Sequence, residues 1–292
     1  LAALRAGPRA LAHAGLAAVV FVGWPAATDA ARGGALEIHA IDVGQGDALA
    51  IRTPGGRWIL VDAGARSPTW DAGEARVVPF LLEEGAGALA LLVLTHPDAD
   101  HVGGAAAVLD ALPVAAVLEP GIAVGKAPYL DALRVADRRG TRWYRAAAGV
   151  TVRIDDIEIH ALAPGDVDAA ADANEFSVVF RIVYGDFAAF FTGDASAEVE
   201  EKLVADSAAM RSQVLKVGHH GSATSTSQVL LDAVRPVVAL ISVGRSNRYG
   251  HPNRRVLRRL EDAGIRVFRT DEDGAVRVRA WRDGHVDVTT SR

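Results

Sequence analysis

"LTHPDADHVGG", Leu94 to Gly104, is the stretch on which the reading of this chain turns. It grows out of the aliphatic run "ALALLVL", Ala88 to Leu94, and leads into the helical pattern "HVGGAAAVLDAL". An unbroken apolar run of that length marks a strand buried on both faces. Two His and two Asp therefore fall within six positions, His96 to His101, at the carboxyl end of a buried strand. Sites in α/β folds form at such ends. Imidazole and carboxylate together suit borderline and harder divalent ions such as Zn²⁺ and Mn²⁺. In an extended loop His96 and Asp98 can face one ion while Asp100 and His101 turn toward a second. Pro97 stiffens that loop and reduces the entropy lost in gathering ligands. The competing reading is a polar turn with an Asp capping the next helix, and only distant partners can decide between the two.

Three other segments supply such partners. "FFTGD" closes an apolar run on Asp194, "LKVGHHGS" sets His219 and His220 after another, and "RYGHPN" places His251 after "VVALISVG". Each residue alone is compatible with a structural role. Their shared position at strand ends is what points to a site.

Working outward, "LEIHAIDV", "DALAIRT" and "RWILVDAG" read as three consecutive strands with "GQG" and "PGG" turns. A helix over roughly Ala75 to Glu84 precedes the buried strand, and "VAAVLEP" and "APYLDALRVADRRG" follow as strand and helix. A second β-rich set comprises "VTVRI", "IEIHALA", "FSVVFRIVYG" and "FAAFFTGD". Alternation then resumes with helix "SAEVEEKLVAD", strand "QVLKVG", helix "STSQVLLDAVRP", strand "VVALISVG", helix "NRRVLRRLEDAG" and strand "IRVFRT". Ser246 or Asn247 lies near the approach to the last of these helices. A hairpin, "GAVRVRAW" and "HVDVTT", closes the chain. Both halves run strands first and strand–helix units after, without a linker or composition break. This predicts an α/β protein in which the two sheets share one core with helices outside, a four-layer αββα sandwich formed by residues 34–292.

Residues 1–33 differ in texture. Arg5 and Arg9 precede an apolar stretch from about Leu16 to Trp24, and small residues follow. That is the layout of a secretory signal, so the chain is expected to be secreted, periplasmic or attached to the envelope, with cytoplasmic residence less expected. The apolar stretch falls short of the roughly 20 residues of a spanning helix, so no stable membrane span is expected after processing. The 292-residue chain has no Cys, which excludes disulfides, Cys–zinc sites and thiol catalysis. Its formal net charge of -5 excludes a protein built to coat nucleic acid. A polyanionic substrate would need a metal or a local basic patch instead.

The ordered set "DVGQGDA", "LVDAG", "THPDADHVGG", "NEFSVVFRI", "FTGD", "LKVGHHGS" and "ISVG…YGHPN" resembles the metallo-β-lactamase-like hydrolases. Within them it resembles the ComEC-type branch, which includes the soluble hydrolase domain of the competence DNA-uptake channel. The resemblance runs from about Ala35 to Ala280 and implies the αββα fold with one or two divalent ions, Zn²⁺ or Mn²⁺, between the sheets. Position by position, His96 and Asp98 match the first-metal pair, Asp100 and His101 the second-metal pair, and Asp194 the bridging carboxylate. One of His219 and His220 matches the later His ligand, and the other would face substrate. Asp62 matches a residue beneath the loop that orients a ligand His. Gln45 and Asp47 lie in a branch-specific loop at the same rim. Where the broader superfamily carries a second His in the loop, this chain has Asp98, which implies a harder site. The superfamily's middle His has no counterpart, since Asn174 and Ser177 occupy that region, which implies weaker or water-filled coordination of the first ion.

The chemistry expected of such a set is hydrolysis by a metal-activated hydroxide, because two ions about 3.5–4 Å apart lower the pKa of water and stabilise attacking and leaving oxygens. Asp100 would ligate and accept a proton, and His251 or the non-ligating His of the pair would hydrogen-bond substrate or protonate the leaving group. Ser222 and Asn253 are candidate phosphate contacts, with turn and cap roles as the alternative. Lys216 would serve a substrate anion or merely snorkel. The leading expectation is a phosphodiesterase or nuclease acting on nucleic acid or a phosphorylated small molecule. The basic cluster Arg245 to Arg259 favours a phosphate substrate or is a solvated helix face. The alternatives are a hydrolase of esters, lactones or lactams, and a non-catalytic metal-stabilised module of a DNA-uptake assembly.

Overall fold

The computed structural model describes residues 19–21, 34–122, 125–165, 172–206 and 209–292. Most of the signal-like leader therefore lies outside the described residues. Of it, Val19–Phe21 forms a short strand paired in parallel with Thr151–Ile154.

Two eight-stranded mixed sheets make the body. The first runs, in spatial order, Val286–Thr290, Val276–Ala280, Leu36–Ala40, Leu49–Arg52, Trp58–Val61, Leu89–Val93, Ala116–Glu119 and Arg142–Arg145. The second runs Val19–Phe21, Thr151–Ile154, Ile157–Ala161, Phe180–Tyr184, Phe187–Phe191, Val214–Lys216, Val238–Ile241 and Arg266–Arg269. The closing hairpin of the chain thus joins the first sheet, its Val276–Ala280 strand lying antiparallel to Leu36–Ala40.

Alternation along the strands separates three apolar layers. Ile38, Ile51, Ile59 and Leu91 of the first sheet pack against Ile159, Phe180, Ile182 and Phe187 of the second in a shared central core. Phe180 and Phe191 stack there with centroids 4.6 Å apart. Truncating a buried Phe in such a place costs about 3–5 kcal/mol. The opposite face of the first sheet, with Ala50, Leu60 and Leu92, packs on helices Val78–Glu83, Ala105–Ala111 and Ala127–Arg138 through Leu81, Leu109 and Tyr129. The outer face of the second sheet, with Phe190, Leu215 and Ala239, packs on helices Ala197–Asp206, Gln228–Val234 and Arg254–Asp262. This is the expected four-layer αββα sandwich.

Local details differ from the sequence reading. The helix expected over Ala75 to Glu84 begins as a π-helical turn, Gly73–Val77, and continues as Val78–Glu83, with Pro79 in the first α turn where its missing N–H costs nothing. The Arg-rich helix Arg254–Asp262 is capped by Asn253, whose side chain accepts from the Arg255 N–H, the cap role weighed for it against a phosphate contact. Strand Arg142–Arg145, "RWYR", carries no apolar alternation because it is a largely exposed edge strand. Among the described residues no helix is long and apolar enough to cross a membrane.

The site is positioned by the parallel parts of the two sheets. Trp58–Val61 and Leu89–Val93 are parallel neighbours, as are Phe187–Phe191, Val214–Lys216 and Val238–Ile241. Their carboxyl ends deliver Asp62, His96, Asp194, His220 and Ser242.

Candidate metal centre

His96, His101 and Asp194 are buried and close enough to hold one ion. Asp194 is the hub. Its Oδ1 lies 3.3 Å from His101 Nε2, and its Oδ2 lies 3.8 Å from His96 Nε2, 3.6 Å from His219 Nε2 and 3.9 Å from His220 Nε2. His220 Nε2 is also 3.3 Å from Asp100 Oδ2 and 3.3 Å from His101 Nε2.

Hydrogen bonds behind the rings set which nitrogen faces this hub. His101 Nδ1 donates to Asp62 Oδ2 at 2.8 Å. Thr95 Oγ1 donates its only hydrogen to the same carboxylate oxygen at 2.6 Å, so at 3.0 Å it accepts from His96 Nδ1. His220 Nδ1 lies 2.9 Å from the Ser242 carbonyl, which can only accept. All three imidazoles thus commit their Nδ1 hydrogen to a fixed acceptor and turn Nε2 toward Asp194, the orientation of metal-ligating His once Nε2 gives up any proton. Among the described residues His96 Nε2 and Asp194 Oδ1 are buried with no hydrogen-bond partner. A buried polar atom left so costs about 1–3 kcal/mol unless something fills the gap. A divalent cation fits both atoms.

Asp47, His101 and His220 also lie close together. Lys216, buried in its strand, places Nζ 2.7 Å from Asp47 Oδ2 and donates to the Val217 carbonyl. With Asp47 paired to Lys216 and both Nδ1 atoms engaged, this side of the rings supports them, and a cation would sit on the Nε2 side. Lys216 therefore neither snorkels nor reaches out to substrate.

The ionisation pattern follows. Burial opposes the charge on Asp194, but His101, His220 and His96 outweigh it and hold the carboxylate well below its usual range. Burial likewise opposes charge on Asp47, and Lys216 with His220 overcomes it. Asp100 is lowered in spite of burial by its hydrogen bond to His220 and by His101. Burial would lower His101, yet Asp194 and Asp62 raise it well above its ordinary value, and His220 is pushed up to about 9 against burial by Asp194 and Asp47. His96 is lowered by burial and by His101.

Backbone strain gathers at the same place. His219 and His220 have φ of 48° and 53°, and Asp62 has φ of 56°. For residues with a Cβ these left-handed conformations cost energy and cluster at functional sites. Gly46, at φ +132°, lets the "GQGD" loop touch the metal loop, since a Cβ there would lie 2.2 Å from the Asp100 carbonyl oxygen. That carbonyl accepts from the Asp47 N–H at 3.1 Å.

The remaining candidates are distributed as follows. Asp98 stands at the rim, its carboxylate paired with Lys126 rather than turned into the Nε2 cluster. Asp100, about one-third exposed, reaches the cluster through His220. His219 lies at the mouth with its ring 5.8 Å from that of His251. Gln45 accepts from the Gly244 N–H, tying the first loop to the last. Asn174 sits in the short 3-10 turn Ala173–Phe176, and neighbouring Ser177 accepts from the Asp194 N–H. Ser222 hydrogen-bonds Thr224 inside its own turn. Sequence reasoning missed Thr95, Ser242 and the buried role of Lys216. The only signal for Thr95 was its place directly before His96, and for Lys216 its charge inside an apolar strand.

The family model described as Metallo-beta-lactamase superfamily matches residues 41–245. ComE operon protein 3 of Bacillus subtilis (strain 168) is 34% identical over 255 residues, covering 83% of this chain and 33% of that protein. Competence protein ComA of Neisseria gonorrhoeae is 35% identical over 244 residues, covering 83% and 32%. Recombination protein 2 of Haemophilus influenzae is 35% identical over 247 residues, covering 85% and 29%. All three are ComEC-type, the branch that the motif order resembles. The chain spans about a third of the length of these curated relatives. Among solved structures, the metallo-β-lactamase fold protein YhfI from Bacillus subtilis aligns with a TM-score of 0.53 at 11% identity, covering 87% of this chain and 100% of that one. A CmlA β-hydroxylase mutant aligns with a TM-score of 0.53 at 14% identity, covering 80% and 52%. Such likeness shows the fold alone, and a hydroxylase on the same fold is a reason to argue chemistry from the site.

Proposed function

This chain belongs to the metallo-β-lactamase superfamily, and from that premise we propose that it is a metal-dependent phosphodiesterase with a dinuclear centre, acting on nucleic acid. The observation that carries the reading is the set of three buried imidazoles with Nδ1 committed and Nε2 converging on Asp194. Divalent ions, when bound, lower the pKa of water toward neutrality and neutralise charge on a phosphoryl group.

The chain's own residues divide the work. His96, His101, His220 and Asp194 would hold the ions, and Asp98, paired with Lys126 at the rim, would be the further carboxylate for the first position. Asp100 keeps a charged Oδ2 beside His220, where it would accept a hydrogen bond from the attacking water. His219 and His251 line the mouth. Burial, then His219 and His220, lower His251, so at neutral pH it offers a neutral ring to hydrogen-bond a substrate oxygen. A mixed imidazole and carboxylate donor set suits borderline to harder divalent ions such as Zn²⁺ or Mn²⁺. The exposed Arg248, Arg254, Arg255 and Arg258 favour a polyanion, and the names of the relatives, a competence and a recombination protein among them, agree with a nucleic-acid substrate.

The test is a panel of a phosphodiester, a lactam and a lactone offered to purified protein with Mn²⁺ or Zn²⁺. Turnover of the phosphodiester, abolished by a chelator and restored by metal, is expected. Turnover of the lactam or lactone alone would overturn the substrate class.

A further inference from the structure

Tyr249 is a large aromatic side chain left 54% exposed at the mouth of the site. Its ring lies within 15° of parallel to His251, centroids 5.8 Å apart, and His251 in turn lies 5.8 Å from His219. Three rings therefore lead from the Asp194 cluster to the surface. The loop that carries them is held in place. The Asn247 side chain donates to the Gly244 and His251 carbonyls and accepts from the Tyr249 and His251 N–H groups. Pro252 packs on Gly221 of the "HHGS" turn, where a Cβ would lie 2.6 Å from the Pro252 Cβ. The Asn253 N–H donates to the Gly221 carbonyl at 2.8 Å. An exposed aromatic already fixed in orientation loses little freedom on binding a flat partner.

The charge of its segment selects that partner. From Gly244 to Leu260 there is no carboxylate; Arg245 and Arg259 donate to the Asp271 and Thr226 carbonyls, and Arg248, Arg254, Arg255 and Arg258 are exposed. The Arg248 guanidinium lies 5.3 Å from the Tyr249 ring centroid. Such an exposed cation–π contact is weaker than the stacking of a nucleobase on an aromatic ring. A base can displace Arg248 from the ring and leave its guanidinium free for the adjoining phosphate.

Building on the phosphodiesterase reading, we propose that Tyr249 is the platform on which a base next to the scissile phosphate stacks, so that the site selects single strands with unstacked bases. The test compares a single-stranded oligothymidylate with an oligomer of the same length and charge built from abasic residues, with Mn²⁺ present. In the wild-type protein kcat/KM should favour the base-bearing strand by about tenfold, the scale of one base–aromatic stack. Tyr249→Ala should bring that ratio to about one, mainly through KM, and Tyr249→Trp should keep it. Metal content and melting temperature of each variant show that the loop survives. A preference that persists in Tyr249→Ala would overturn the platform while leaving the phosphodiesterase reading intact. Failure of the wild type to cleave either strand would overturn both.

Discussion

Thr95 Oγ1, Asp62 and the Ser242 carbonyl decide what the three buried His rings can do, although none of them touches the cluster of Nε2 atoms. Removing the Thr95 hydroxyl takes away the acceptor for His96 Nδ1 at little change in volume. Such supporting partners typically alter metal affinity by about 10–100-fold. Thr95→Val should weaken metal binding on that scale, measured by calorimetric titration of stripped protein, and an unchanged affinity would mean that His96 is oriented by something else. The adjacent His residues should separate cleanly. His220 is buried with both nitrogens engaged, whereas His219 is partly exposed and points to His251. His220→Ala should lose metal. His219→Ala should keep it and lose turnover by about 10²–10⁴, the usual contribution of a positioned acid–base group. The candidate ligands were legible because each ends a recognisable strand. Their supports were not, because a Thr, a backbone carbonyl and a strand Lys carry no spacing signal.

Strand Leu36–Ala40 shows the same limit at the scale of an element. Its inward residues Leu36, Ile38 and Ala40 read plainly as core, and they are. Strand alternation turns Glu37 to the opposite face, where it is buried with Arg277 Nη2 at 3.0 Å, Arg279 Nε at 3.4 Å and His39 beside it. The two arginines come from Val276–Ala280, paired across the sheet from a point 240 residues later. No local pattern can announce such a partner. His39, 3.6 Å away, and the hydrogen-bonded charge of Arg277 hold Glu37 at about 2, below its ordinary 4.5, in spite of burial. A carboxylate lowered on folding adds stability above its unfolded value, and that stability is lost as pH falls through the folded one. The wild-type urea midpoint should therefore drop between about pH 4.5 and 2 in part because of Glu37. Glu37→Gln should start lower at pH 7 and show a shallower drop, and parallel curves for the two proteins would contradict this. Edge strand Arg142–Arg145 escaped the sequence reading for a related reason, since an exposed edge needs no apolar alternation.

For the molecule as a whole, the four layers were legible because three apolar clusters demand three interfaces, and alternation along each strand assigns its residues to one of two. The site was legible because both sheets bring their parallel strands to the same edge. What the whole fold achieves is to bury Asp47, Asp62 and Asp194 with His96, His101 and His220 inside a protein of net negative charge. Such a group is costly unless a cation joins it. That is the central claim, and elemental analysis of wild-type protein and Asp194→Ala, purified alike and both shown to be folded, tests it most directly. The wild type should carry one or two divalent ions per chain, and the variant should carry few or none, because it lacks the carboxylate that all four imidazoles face. Equal metal content in the two proteins would contradict the account.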